Sequence, residues 1–183
     1  MARAKKPSTM AEIDQQLEDE RKQGYCRIGE FVYWFSQLEF TIRARLAAAL
    51  SLPDNQFDIV ISPYDFAMLC TVSEKLLSQQ FPEKAADIEK VFKRCRAIND
   101  ERVGIAHGTW THGPQGIIAR QVPRGSLKAR YLYENPQALA QLTQKARELM
   151  PEVMQLGGTA PKPGTKTVRS VRPVRQPQRA PKP

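Results

Sequence analysis

The hydrophobic and polar positions of this chain fall into blocks of helical period, interrupted once by a stretch of different texture. The strongest block holds Ile28, Phe31, Val32, Phe35, Leu38, Ile42, Leu46 and Leu50, spaced largely by threes and fours. So wide and aromatic a stripe predicts a central helix buried on more than one side, stopped by Pro53. Ahead of it, Thr9 and Glu12 have capping-box spacing, and Met10, Ile13 and Leu17 follow at helical intervals. Gly24 is expected to end this first helix near residue 23. The segment "DNQFDIVISP" reads equally as a short turn or an irregular link. Ser62 before Pro63 suits an N-cap and first-turn pair, predicting a third helix through about Gln79. A fourth helix follows from Pro82 to His107, with Gly108 placed to close it in a left-handed cap.

The texture then changes. Residues 109–133 are rich in Gly, Pro, β-branched and aromatic side chains. They predict a hairpin or three-stranded meander at about 109–112, 117–122 and 128–133, with turns at "HGPQG" and "PRGS". Asn135 and Pro136 open a last helix, which Pro151 is expected to kink or end, and Gly157 and Gly158 close the fold. The expected architecture is mainly α: a bundle of about five helices over residues 9–158, with a small β insertion before the last helix.

Charge changes the picture only at the ends. The chain of 183 residues carries a formal net charge of +9. Three basic residues lie in positions 1–6, seven lie in 161–183, and neither stretch has an acid; the middle has 18 basic against 19 acidic side chains. The folded part therefore has no general excess of positive charge for gripping a phosphate backbone. Residues 1–8 read as a disordered basic arm. Residues 159–183, with six prolines, seven Lys/Arg and no aromatic residue, read as a disordered tail, because so little apolar surface cannot offset the entropy of ordering. If all seven tail charges met single-stranded phosphates, the log–log salt slope of binding would be about −5.

No apolar run approaches the roughly 20 residues of a membrane span, and the start lacks the apolar centre of a secretory signal, so a cytoplasmic protein is expected. Cys26, Cys70 and Cys95 have neither metal-ligand nor redox spacing, and there are only two histidines. No structural metal site and no cofactor are expected.

The chemistry-bearing candidate is "NDERVGIAHGTW", Asn99 to Trp110. On an ideal helix Arg102 and His107 are about 140° apart around the axis and roughly 7.5 Å apart along it. They do not stack, but a long arginine and a histidine at the helix end can reach one cleft. Asn99 lies one turn before Arg102, and Asp100 two turns before His107. Arginine offers a planar donor fork for a phosphate, and histidine is the side chain suited to both acid and base work near neutrality. Together they suffice for metal-free RNA cleavage, in which a base deprotonates the ribose 2′-hydroxyl and an acid protonates the leaving 5′-oxygen. One histidine cannot do both at once, whereas a two-fold dimer supplies two. The plainer reading is a histidine favoured by the helix dipole and an arginine paired with a core carboxylate such as Glu39. Glu39 sits beside the stripe of the central helix, either partnered by an arginine from another helix or at the wet edge.

The stretch "NDERVGIAHGTW", together with "GEFVYWFSQLEFTIRARL", resembles the HEPN family (higher eukaryotes and prokaryotes nucleotide-binding domain) over about residues 25–155. The family signature is an arginine followed, after four to six residues, by a histidine, which Arg102 and His107 match. The resemblance implies an all-α bundle, a homodimer and, in many members, metal-independent endoribonuclease activity in toxin–antitoxin or antiphage systems. Arg102 and His107 would be catalytic, Asn99 and Asp100 would position them, and Glu39 would be a structural ion-pair residue. An RNA substrate and an antitoxin or nucleotidyltransferase-like partner are implied with it. The family usually has a polar residue after its arginine, where this chain has Val103. That departure keeps open the alternative of a non-catalytic module that binds a nucleotide, a nucleic acid or a protein.

Overall fold

The computed structural model describes residues 9–113, 116–121, 130–132 and 136–157, the stretch from 111 to 136 by its backbone alone. The basic arm (1–8), the tail (159–183), the "PRGS" turn, Asn135 and Gly158 lie outside the described residues. The structure is mainly α, with five α-helices among the described residues: α1 (Met10–Leu50), α2 (Asp54–Ile61), α3 (Phe66–Gln80), α4 (Ala85–His107) and α5 (Pro136–Gln155). A 3-10 turn (Pro82–Lys84) leads into α4. Between α4 and α5 run β1 (Thr109–Gly113), β2 (Gly116–Gln121) and β3 (Arg130–Leu132), an antiparallel meander in the order β1-β2-β3.

The first two expected helices are one. Thr9 and Glu12 form the capping box, and α1 then runs 41 residues through Gly24 without a break. A glycine inside a helix costs only about 0.5–1 kcal/mol relative to alanine. Local pairs oppose that cost: Gln15 donates to Asp19, Gln16 to Glu20, and Arg21 pairs with Glu18, each contributing about 0.2–0.5 kcal/mol. The segment that read as a turn or link is α2. Ser62 does not open α3; its backbone continues the α conformation and closes α2. The N-cap is Asp65, extended at φ −68°, ψ 168°, whose carboxylate accepts from the Met68 amide at 2.7 Å. Asp65→Ala is therefore expected to lower stability by about 1 kcal/mol, whereas Ser62→Ala should be nearly silent, as a denaturant titration would show.

Two further expectations fail at helix ends. Gly108 is not left-handed: at φ −75°, ψ 147° it is extended, because the chain passes directly from α4 into β1. Pro151 does not end α5, which continues to Gln155. Buried Leu149 and Val153 flank the proline and hold both turns against the core, which outweighs its missing amide.

The core follows from the apolar stripes. Phe31, Leu38, Ile42 and Leu46 of α1 are fully buried with Leu69 and Leu77 of α3, Ile88 and Phe92 of α4, and Leu149 and Val153 of α5. α1 packs along α5 and α3, and α4 packs on α3 and α5. Ion pairs lace these contacts, Arg94 to Glu152 between α4 and α5 at 2.6 Å and the partly buried Arg96 to Glu74 between α4 and α3 at 2.5 Å. Among the described residues Arg45 is the charged side chain that is buried. Its Nε donates to the Leu156 carbonyl at 2.8 Å, and its Nη2 donates to the same oxygen. A guanidinium on α1 thus closes the C-terminal end of α5, and burial lowers its pKa from the ordinary arginine value.

Candidate functional site

Arg102 and His107 both lie near the end of α4, and both side chains are exposed. The helix is held at this point because Ile98, Gly104 and Ile105 are buried, and because Trp110 folds back to donate from its indole Nε1 to the Ile105 carbonyl at 3.0 Å. That bond takes up one of the carbonyls a helix end leaves without an intrahelical partner.

Arg102 stands at the rim of a cleft of about 340 Å³ between α1, α3 and α4, lined by Phe35, Glu39, Asp65, Phe66, Asn99 and Val103 among others. Its guanidinium carbon lies 5.7 Å from the centroid of the Phe35 ring, within cation–π range. Phe35 in turn packs on Phe66 with centroids 4.6 Å apart. The cleft therefore has an aromatic floor on its α1–α3 side and an amide and a guanidinium on its α4 side. The N–H donors of a guanidinium form a planar fork that suits an anion.

Glu39 lies in the same cleft, but it is not the partner of Arg102. The Glu39 carboxylate pairs with Arg43, one turn along the same helix, at 2.6 Å from Nη2 and 3.2 Å from Nε. Arg43 also donates to the carbonyls of Ile61 and Tyr64, at 2.8 and 3.0 Å, so the pair fastens the α2–α3 link to α1. The expectation of an arginine from another helix is replaced by a local i,i+4 pair, which holds both groups half-buried. The bland alternative, Arg102 locked to Glu39, is thereby lost: among the described residues Arg102 makes no ion pair. Asp65 is also engaged, as the α3 cap.

Of the sequence-derived site residues, the structure brings Glu39, Asn99 and Arg102 together around this cleft; Asp100 and His107 are not among the residues that line it. Asp100 is exposed and His107 terminates the helix. Trp110 packs against the core, and the side chains of His112 and Tyr131 lie outside the described residues. Sequence reasoning missed Arg43 and the Phe35–Phe66 floor. The first had a signal, since Glu39 and Arg43 stand at the i,i+4 spacing that favours a pair; the second needed the relative placement of α1 and α3.

Elsewhere, Cys70 and Cys95 are buried thiols facing each other from α3 and α4, and Cys26 is exposed. The hydrogen bond with Cys95, reinforced by burial, pushes the Cys70 thiol well above its ordinary range. Among the described residues no cluster of His, Cys, Asp and Glu could hold a metal ion, and no helix is long and apolar enough to cross a membrane. Compared with protein-family models, curated proteins and solved structures, the chain matches none.

Proposed function

We propose that this protein is a HEPN-type, metal-independent endoribonuclease that acts as a homodimer, with His107 as the general acid and base and Arg102 as the phosphate-binding group. The observation that carries the reading is the state of Arg102. Glu39 is neutralised by Arg43, so the guanidinium of Arg102 keeps its donor fork for an anion, at the rim of a cleft and in the same exposed helix end as His107. One copy supplies one imidazole at this end. Cleavage through the 2′-hydroxyl needs a base on one side of the phosphorus and an acid on the other, which two copies related by a two-fold axis can provide. Asn99, beside Arg102 in the cleft, would orient the arginine or the ribose, and Asp100 would do the same from the outer face. A toxin–antitoxin or antiphage setting, with an antitoxin or nucleotidyltransferase-like partner to restrain it, fits such an activity.

The test is incubation of the full chain with RNA in excess chelator, followed by end-group analysis. The account expects 2′,3′-cyclic phosphate ends and no loss of rate on metal removal. Absence of cleavage, or cleavage that chelator abolishes, counts against it.

A second reading has its own support. Val103 lines the cleft where the family has a polar residue, and His107 does not line it. A non-catalytic HEPN-like module that holds an anionic ligand through Arg102 and Asn99 accounts for both facts. It expects RNA binding that survives His107→Ala and weakens with Arg102→Ala.

A further inference from the structure

α1 presents two opposed apolar faces, and only one of them is used. Phe31, Phe35, Leu38 and Ile42 point into the core. On the other side of the same helix stand Tyr25, Val32, Tyr33 and Phe40, exposed at 60%, 50%, 56% and 59%. Gly29 and Ser36 lie between them on that face, and a Cβ added at Gly29 would touch nothing. At 100° per residue Tyr25, Gly29, Val32, Tyr33, Ser36 and Phe40 fall within a sector of about 100°, a single ridge roughly 22 Å long. Phe57 of α2, 6.3 Å from Phe40 between ring centroids, extends it sideways.

We infer that this ridge is the surface through which a second copy of the chain docks, with the two α1 helices antiparallel across a two-fold axis between Val32 and Tyr33. The pattern is complementary to itself in that orientation. Reversal about this point sets Tyr25 against Phe40 of the other copy, Val32 against Tyr33, and the two small residues, Gly29 and Ser36, against each other. Large side chains then pack at the ends, and small ones let the backbones approach near the crossing.

The area is sufficient. An aromatic side chain buries about 150–250 Å², and three of them stand more than half exposed here. With Val32 and a polar rim, the two copies together reach about 1,000 Å², the lower edge of specific protein interfaces. The expected dimer is therefore concentration-dependent. Glu39 flanks the ridge on α1, so an antiparallel pair about this axis sets the two clefts about 20 Å apart along the helices. The inference builds on the homodimer proposed above and is independent of its chemistry.

The experiment measures the solution mass of the full chain over a range of concentrations. The wild type should pass from the mass of one chain to twice that mass. Val32→Glu should remain at the single-chain mass at every concentration, with unchanged helicity and the thermal midpoint of the dilute, single-chain wild type, since the position faces solvent in each copy. Orientation is tested with Cys26→Ser as background. Gly29→Cys with Ser36→Cys should give disulfide-linked dimers, because residues seven apart on one helix cannot bridge within a chain. Gly29→Cys alone should give none. A wild type that stays single, a dimer indifferent to Val32→Glu, or cross-linking by Gly29→Cys alone would each overturn the proposal. A dimer of the expected kind that fails to cleave RNA would support the interface and remove only the nuclease.

Discussion

Replacement of His107 by alanine is expected to slow chelator-resistant RNA cleavage by about 10²–10⁴-fold, the range that one positioned general acid or base contributes. Arg102→Ala should cost about 10²–10³-fold, comparable with removal of one donor to a developing oxyanion. Arg102→Lys should recover part of the binding and little of the rate, because an ammonium keeps the charge and loses the fork. These effects are separable from folding. His107 is exposed and in no ion pair among the described residues, so its removal should move stability by less than about 0.5 kcal/mol. Arg102→Ala gives up its contact with the Phe35 ring, about 0.5–1 kcal/mol. Cleavage rates read beside thermal midpoints of the same preparations check both halves. A His107→Ala protein that cleaves like the wild type removes the catalytic assignment.

The largest loss of stability is expected at Gly157, which lies far from this chemistry. Its φ of +81° is the left-handed conformation, and the chain turns there immediately after α5. A Cβ at this position would lie 2.3 and 2.5 Å from two atoms of the Phe81 ring and 2.8 Å from Nη2 of Arg45. Neither neighbour can yield freely. Arg45 is committed to the Leu156 carbonyl, and Phe81 packs against the core at the junction of α3 and α4. Left-handed backbone costs a non-glycine residue about 1–2 kcal/mol and overpacking about 1–3 kcal/mol. Gly157→Val should therefore lose about 2–5 kcal/mol, a large share of the 5–15 kcal/mol typical of a domain. The thermal midpoint should fall by about 5–20 °C. Gly157→Asn divides the two causes. Asparagine tolerates the left-handed conformation, so a near-normal midpoint for that variant would mean that the collision with Phe81 and Arg45 is relieved at no cost, contrary to expectation.

Those two sites differ in how far the sequence announces them. The α1 core stripe, the end of α4 at His107 and the strand texture after Gly108 follow from periodicity and breakers, because burial of one face imposes a repeat that local residues cannot hide. The number of helices also agrees, but through two offsetting differences. Gly24 is overridden by its helical neighbours, which merges two expected helices, and Phe57, Val60 and Ile61 draw an ambiguous linker into α2 by packing against the core. Asp65 displaces Ser62 as a cap because two good capping residues stand three apart and only tertiary placement decides between them. In the cleft, Arg102 and Glu39 were legible as individuals. Their relation was not: which carboxylate meets which arginine depends on the crossing of α1 and α4, and the nearer Arg43 takes Glu39 first. The clamp of Arg45 on Leu156 joins residues 111 positions apart, and no local pattern encodes it.

The separation between the two His107 positions in the assembled protein tests the account most directly. It can be measured by pulsed electron spin resonance on full-length His107→Cys, spin-labelled in a Cys26→Ser background, with a 2′-deoxy RNA analogue bound. Two imidazoles that serve one phosphodiester as base and acid must each come within about 3 Å of its oxygens, which places the rings within about 10 Å of each other. The account predicts one short intermolecular distance. A long distance, or no intermolecular signal at concentrations where RNA is cleaved, would contradict it.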